Sequence, residues 1–166
     1  MTRAHIALGS NLGDRAGHLA AALVALQRDA AVRVVAESAV YETAPVGGPP
    51  QPDYLNMVVA VDTSLAPEPL LDRCLAIEAE QGRVRRERWG ARTLDLDLLD
   101  CGGVRVAGER LVLPHPRLAE RAFVLVPLAE IAPELVFGAD GNVGALAARC
   151  DRAGLRRLGR LAEVVS

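Results

Sequence analysis

The stretch "RTLDLDLLD", Arg92 to Asp100, decides how the rest of the chain is read. Leu94, Leu96 and Leu98 alternate with Thr93, Asp95 and Asp97, the period-two pattern of a strand with one apolar and one polar face. Asp95 and Asp97 then share a face, roughly 6.8 Å apart along the backbone at about 3.4 Å rise per residue. On a helix the same spacing would turn them to different sides. The bland alternative is a solvated strand face, so other features must argue for convergence on one site.

Working outward, the chain reads as alternating strands and helices. His5–Leu8 forms a short strand closed by Gly9, and Asp14 caps a helix running to about Arg28. Val32–Thr43 is β-branched and reads as one strand. The segment "APVGGPPQPDY" is a long exposed loop, where binding residues collect. Leu55–Thr63 is a third strand, and Ser64 caps a helix that carries Pro67 and Pro69 in its first turn and ends near Gly82. After the acid strand, "DCGG" is expected to turn the chain back as a hairpin into "VRVAGERLVL". A helix through "RAFVLVPLAEIAP" and a terminal helix in "GLRRLGRLAEV" complete the chain. The order β-α-β-β-α-β predicts an α+β, ferredoxin-like sandwich with a mainly antiparallel sheet, an added hairpin and extra C-terminal helices, as one domain over 1–166.

Composition narrows the function classes. With 166 residues and 51% hydrophobic content the chain can bury a substantial core. Nineteen basic against 21 acidic residues argue against general attraction to nucleic acid or an anionic membrane. Every basic residue is arginine, a bias as easily genomic as functional. Cys74, Cys101 and Cys150 are scattered, which suggests neither a zinc site nor a disulfide framework and points to a reducing compartment. The amino-terminal apolar run is too short for a signal peptide, so a soluble, cytoplasmic protein is expected.

Arg83, Arg85, Arg86, Arg88 and Arg92 lie within ten residues that run directly into the acid strand. Carboxylates that can hold a divalent metal, set beside guanidiniums, are the means by which phosphate chains are gripped and neutralised. The combination suggests a nucleoside triphosphate. A P-loop is absent, and "GSNLG" lacks the dinucleotide-binding glycine spacing. "LPHPRLAERAF" adds Pro114, His115, Arg117, Arg121 and Phe123 near the same edge.

Together, "ALGSNLGD", "YETAPVGGPPQPDYLN", "ERWGARTLDLDLL" and "LPHPRLAERAFVLVPL" resemble the 6-hydroxymethyl-7,8-dihydropterin pyrophosphokinase family of folate biosynthesis, over almost the whole chain. The resemblance implies transfer of the terminal diphosphate of ATP to the pterin hydroxymethyl group, leaving AMP. It implies that Asp95 and Asp97 hold two Mg²⁺ ions, and that Arg83 and Arg92 act on the transferred group. It further implies nucleotide contacts from Glu78, Arg85, Arg88, Leu98, Arg110, His115 and Arg121. Pterin contacts would come from Thr43, Pro45, Val46, Gly47, Tyr54, Asn56 and Phe123, with Trp89 sealing the closed site. Leu75, Val112 and Pro116 depart from the family's pattern, which bears on adenosine packing. The expected partners are the two small substrates, with no nucleic acid or membrane, and the expected state is a monomer. Two rival readings start from the same residues. One is a DxD metal-dependent nucleotide-sugar transferase, which would need a larger nucleotide-binding half. The other is a non-enzymatic, ferredoxin-like RNA-binding module, which would need aromatic residues on its central strands.

Overall fold

The computed structural model describes residues 1–45, 50–82, 93–137 and 141–165. Strand β1 (Thr2–Ser10) is longer than the apolar run alone suggests, because its partners extend on both sides. Helix α1 (Arg15–Arg28) starts as expected, with the Asp14 carboxylate accepting from Gly17 N–H at 3.1 Å. Its buried stripe, Leu19, Ala22, Leu23 and Leu26, follows the i, i+3, i+4, i+7 rule.

The segment expected as one strand over Val32–Thr43 is two, β2 (Val32–Glu37) and β3 (Val40–Thr43). The break has a local cause. A register irregularity lies between Val34 and Ala36, and Ser38 then substitutes its side chain for ladder geometry. Ser38 Oγ donates to Ala39 O and accepts from Val58 N–H, while Ser38 N–H donates to Val58 O.

Strand β4 (Tyr54–Thr63) carries both pieces, and α2 (Pro67–Glu80) follows. The residue at its N-cap is Ala66, not Ser64, and no side chain caps it. Proline at positions 67 and 69 supplies no N–H, so two of the donors a cap would satisfy do not exist.

Strand β5 (Asp95–Cys101) is the acid strand. Gly102 and Gly103 both have positive φ, 61° and 74°, and turn the chain, but the next segment does not return along β5. It folds on itself as a two-stranded hairpin, β6 (Val106–Ala107) with β7 (Val112–Leu113), closed by Gly108 N–H to Leu111 O. A short 3₁₀ turn at Leu118–Glu120 leads into α3 (Ala122–Ile131).

The terminal region also differs from expectation. Helix α4 (Val143–Arg149), capped by Asn142 to Ala145 N–H at 2.7 Å, is followed by β8 (Leu155–Gly159) and then α5 (Leu161–Val165). "GLRRL" has good helix propensity, yet Gly154 and Gly159 at φ 77° and 111° isolate it as a strand paired with β3. Arg156 reaches Glu42 and Arg157 reaches Glu130, so pairing with the sheet also places its charges.

The sheet is open and six-stranded, in order β5-β1-β4-β3-β8, with β2 also on β4, and every pairing is antiparallel. Its first four positions are those of a ferredoxin-like sandwich. On one face, Ala4, Ile6, Leu8, Met57, Val59, Val61, Leu96 and Leu98 pack with α1 and α2. On the other, Val58 and Leu99 pack with α3 and α4 around Leu125, Leu128 and Phe137. Among the described residues no helix is long and apolar enough to cross a membrane.

Candidate active site

Strand alternation carries Asp95, Asp97, Gly9, Asn56 and Tyr54 onto the α3 side of the sheet, at the end that α3 and α4 leave uncovered. Asp97 stands opposite Ala7 and Asp95 opposite Gly9. Both carboxylates are half-buried and share one face, as the leucine alternation predicts. They open into a cleft of about 1100 Å³.

The cleft gathers most of the residues singled out in the sequence. Thr43, Pro45, Tyr54, Asn56, Glu78, Asp95, Asp97, Arg110, His115, Arg121 and Phe123 all line it. Leu98 faces an adjoining pocket of about 250 Å³, which Asp97, Arg110 and His115 also border. Val46, Gly47, Arg83, Arg85, Arg88, Trp89 and Arg92 lie outside the described residues.

At one end the floor is built around Gly9. A Cβ there would lie 2.7 Å from Asn56 Oδ1 and 3.5 Å from Tyr54 Cδ1, so the missing side chain is what lets both residues lie against β1. Asn56 Nδ2 donates to Thr43 Oγ1 at 2.7 Å, which fixes the amide's orientation. Phe123 enters from the first turn of α3, with the Arg121 guanidinium 5.7 Å from its ring centre. Tyr54 and Phe123 therefore give this end two aromatic rings beside an oriented amide, suited to a flat polar heterocycle.

The other end is ionic. Glu78 reaches across from α2, and its buried carboxylate accepts from Leu96 N–H at 2.7 Å. That bond grips the backbone between the two aspartates. Cys74, one turn earlier, is pushed up to about 12 by burial and by the Glu78 and Asp97 charges, so it is an inert thiol. Arg110 pairs with Asp72 and Glu68 on α2, bringing the β6–β7 hairpin to the rim. His115 is anchored by its N–H to Leu99 O at 2.8 Å. Its Nδ1 accepts from Arg117 N–H at 3.2 Å, which leaves the ring proton on Nε2. Burial, and then the Arg121 and Arg117 charges, lower its pKa to about 4, so His115 is a neutral donor at physiological pH.

Some lining residues had no role assigned from sequence. Gln51 holds Asn11 Nδ2 at 2.8 Å and ties the turn after β1 to the loop before β4. Asp151, Ala153, Gly154 and Leu155 form a wall from the segment entering β8. The glutamine lies within the glycine- and proline-rich loop and was within reach of a sequence argument; the wall was not, because it depends on reading β8 as a strand.

Residues 5–133 match the family described as 7,8-dihydro-6-hydroxymethylpterin-pyrophosphokinase (HPPK). The chain belongs to the HPPK family. It is 53% identical over 158 residues to the 2-amino-4-hydroxy-6-hydroxymethyldihydropteridine pyrophosphokinase of Methylorubrum extorquens, covering 95% of this chain and 99% of that one. The similarly named protein of Pseudomonas aeruginosa is 47% identical over 156 residues, covering 94% and 96%. Among solved structures, an HPPK-DHPS protein of Plasmodium falciparum superposes with a TM-score of 0.70 at 13% identity, a likeness of fold. That alignment covers 95% of this chain and 47% of the Plasmodium chain. HPPK membership, rather than cleft shape, separates this chain from the nucleotide-sugar transferase and RNA-binding readings of the same motif.

Proposed function

We propose that the chain catalyses the reaction for which its family is named: transfer of the diphosphate of ATP to 6-hydroxymethyl-7,8-dihydropterin, giving AMP and the pterin diphosphate, a step of folate biosynthesis. The observation that carries the reading is a single cleft with two aromatic rings and an oriented amide at one end and two carboxylates of one strand face at the other.

Asp95 and Asp97 fit a pair of Mg²⁺ ions by their donor chemistry. They offer hard carboxylate oxygens, and among the described residues no third His, Cys, Asp or Glu joins them in a cluster. A site with few protein ligands suits an ion that keeps waters and shares substrate phosphates. Bound there, magnesium would neutralise charge on the phosphate chain.

The protein's own groups do the rest by positioning. Tyr54 and Phe123 hold the pterin ring between them, and Asn56, fixed by Thr43, reads its polar edge. Pro45, with Val46 and Gly47 beyond it, lines the pterin side. His115 donates through Nε2 to the nucleotide, while Arg121 and Arg110 neutralise phosphate oxygens, Arg110 exchanging its α2 carboxylates for them. Leu98 packs beside the nucleotide, and Glu78 keeps the acid strand in place beneath it. Arg83, Arg85, Arg88 and Arg92 bring further charge to the phosphates, with Arg83 and Arg92 acting on the transferred group, and Trp89 seals the closed site. Alignment of the hydroxyl with the β-phosphorus then supplies most of the acceleration, without a dedicated strong base. We further place this activity in a single cytoplasmic domain, 1–166, working as a monomer.

The test is incubation with Mg-ATP and the pterin alcohol, with nucleotides resolved by chromatography. Pterin-dependent AMP is expected. Pterin-dependent ADP, or no pterin-dependent product from folded protein, would reject the reading.

A further inference from the structure

Strands β1 and β5 share a buried polar pair that no step above uses. His5 Nδ1 lies 2.6 Å from Asp100 Oδ1, and each residue is only 4% exposed. A carboxylate can only accept, so His5 Nδ1 is the donor. The pair sits at a defect in the ladder: His5 stands opposite Asp100, the next pair is Ile6 with Leu98, and Leu99 is the extra residue between them. That bulge frees the Leu99 carbonyl, which accepts His115 N–H at 2.8 Å. On the far side, Ala4 pairs with Cys101 and Gly102 N–H reaches Arg3 O at 2.8 Å, so regular pairing resumes at once.

A buried polar pair is a poor source of stability, since apolar side chains of similar volume usually pack there at no loss. Its value is geometric. We infer that His5 is a positioning residue: by holding Asp100 it pins the bulge, aims the Leu99 carbonyl at the His115 backbone, and so sets the His115 ring at the nucleotide end of the cleft. This rests on the nucleotide-side role given to His115 above.

The experiment compares wild type, Asp100→Asn and the double variant His5→Leu/Asp100→Leu. Asn keeps an acceptor for His5 Nδ1, whereas the double variant replaces the pair by apolar groups and leaves no buried charge alone. Steady-state KM for ATP and for the pterin, thermal melting, and the NMR titration of the His115 ring are the readouts. The double variant is expected to melt like wild type, to raise KM for ATP about tenfold with the pterin KM unchanged, and to move the His115 titration up from about 4. Asp100→Asn is expected to match wild type in all three readouts. A folded double variant with wild-type KM for ATP and an unmoved His115 titration would overturn the inference. So would failure of the double variant to fold, which would make the pair a plain core element. Wild-type protein that makes no pterin-dependent AMP would reject the enzymatic reading instead, and the NMR titration would still decide whether His5 positions His115.

Discussion

The two faces of the sheet use the same strands in opposite ways. Toward α1 and α2 every strand contributes apolar residues to a closed layer in which Ile6, Leu70, Cys74 and Met57 have no measurable exposure. Toward α3 and α4 the cover reaches only part of the sheet, and beyond it the same alternation presents Gly9, Asn56, Asp95 and Asp97 to a cleft. One parity of the strands therefore builds a closed core, and the other divides between a second core under α3 and α4 and the chemistry of the cleft. In β5 Leu96 belongs to the first and the flanking Asp95 and Asp97 to the second, so neighbouring substitutions there should fail in different ways.

The sharpest test of that division is Asp97→Ala. Turnover should fall by about 10³-fold or more, the scale on which electrostatic stabilisation of a transferring group acts, while the melting temperature stays near wild type. Near-normal turnover would remove Asp97 from the reaction. On the opposite face, Leu70→Ala should cost about 2–5 kcal/mol in a denaturant titration, since the side chain is wholly enclosed. Protein that remains folded should keep its KM values; a selective rise in one of them would mean the faces are not independent.

Gly9→Ala probes the seam between the faces, because β1 serves both. The new methyl meets Asn56 Oδ1 at 2.7 Å and must displace the amide. KM for the pterin should rise about tenfold with KM for ATP little changed, as follows from misplacing one orienting group.

A further effect is a pH dependence at the rim. His115 in the unfolded chain takes up its proton near 6.5, but in the fold only near 4. Between those values the unfolded state binds more protons, so this residue's contribution lowers stability as pH falls from about 6.5 to about 4 and then levels off. His115→Gln should show a shallower loss over that window in chemical denaturation. An identical slope would mean that the ring is not held as described.

Much of this division was legible in the sequence because it is periodic. The leucine and aspartate alternation of β5 and the stripe of α1 each assign a face without knowledge of partners. The parts that escaped depend on pairing between distant segments. Nothing local in "GLRRL" says that β3 offers it a strand edge with Glu42, and α3 offers Glu130, for its arginines. The bulge at Leu99 exists only relative to β1, which also hides the meaning of His5 and Asp100. The Glu78 bond to Leu96 spans 18 positions and two elements, so the family resemblance pointed to Glu78 without revealing what its carboxylate holds.

Because β5 lies at the border of the sheet, that same glutamate has a second consequence. A border strand offers unpaired N–H and C=O groups on which a foreign strand can add, a common beginning of aggregation. Along β5 the chain occupies such positions itself: Glu78 takes Leu96 N–H, and His115 N–H takes Leu99 O. The two aspartates can therefore stand open to small molecules on a strand whose backbone is already partly spoken for. Glu78→Leu, by uncovering Leu96 N–H, would then be felt first as self-association on concentration.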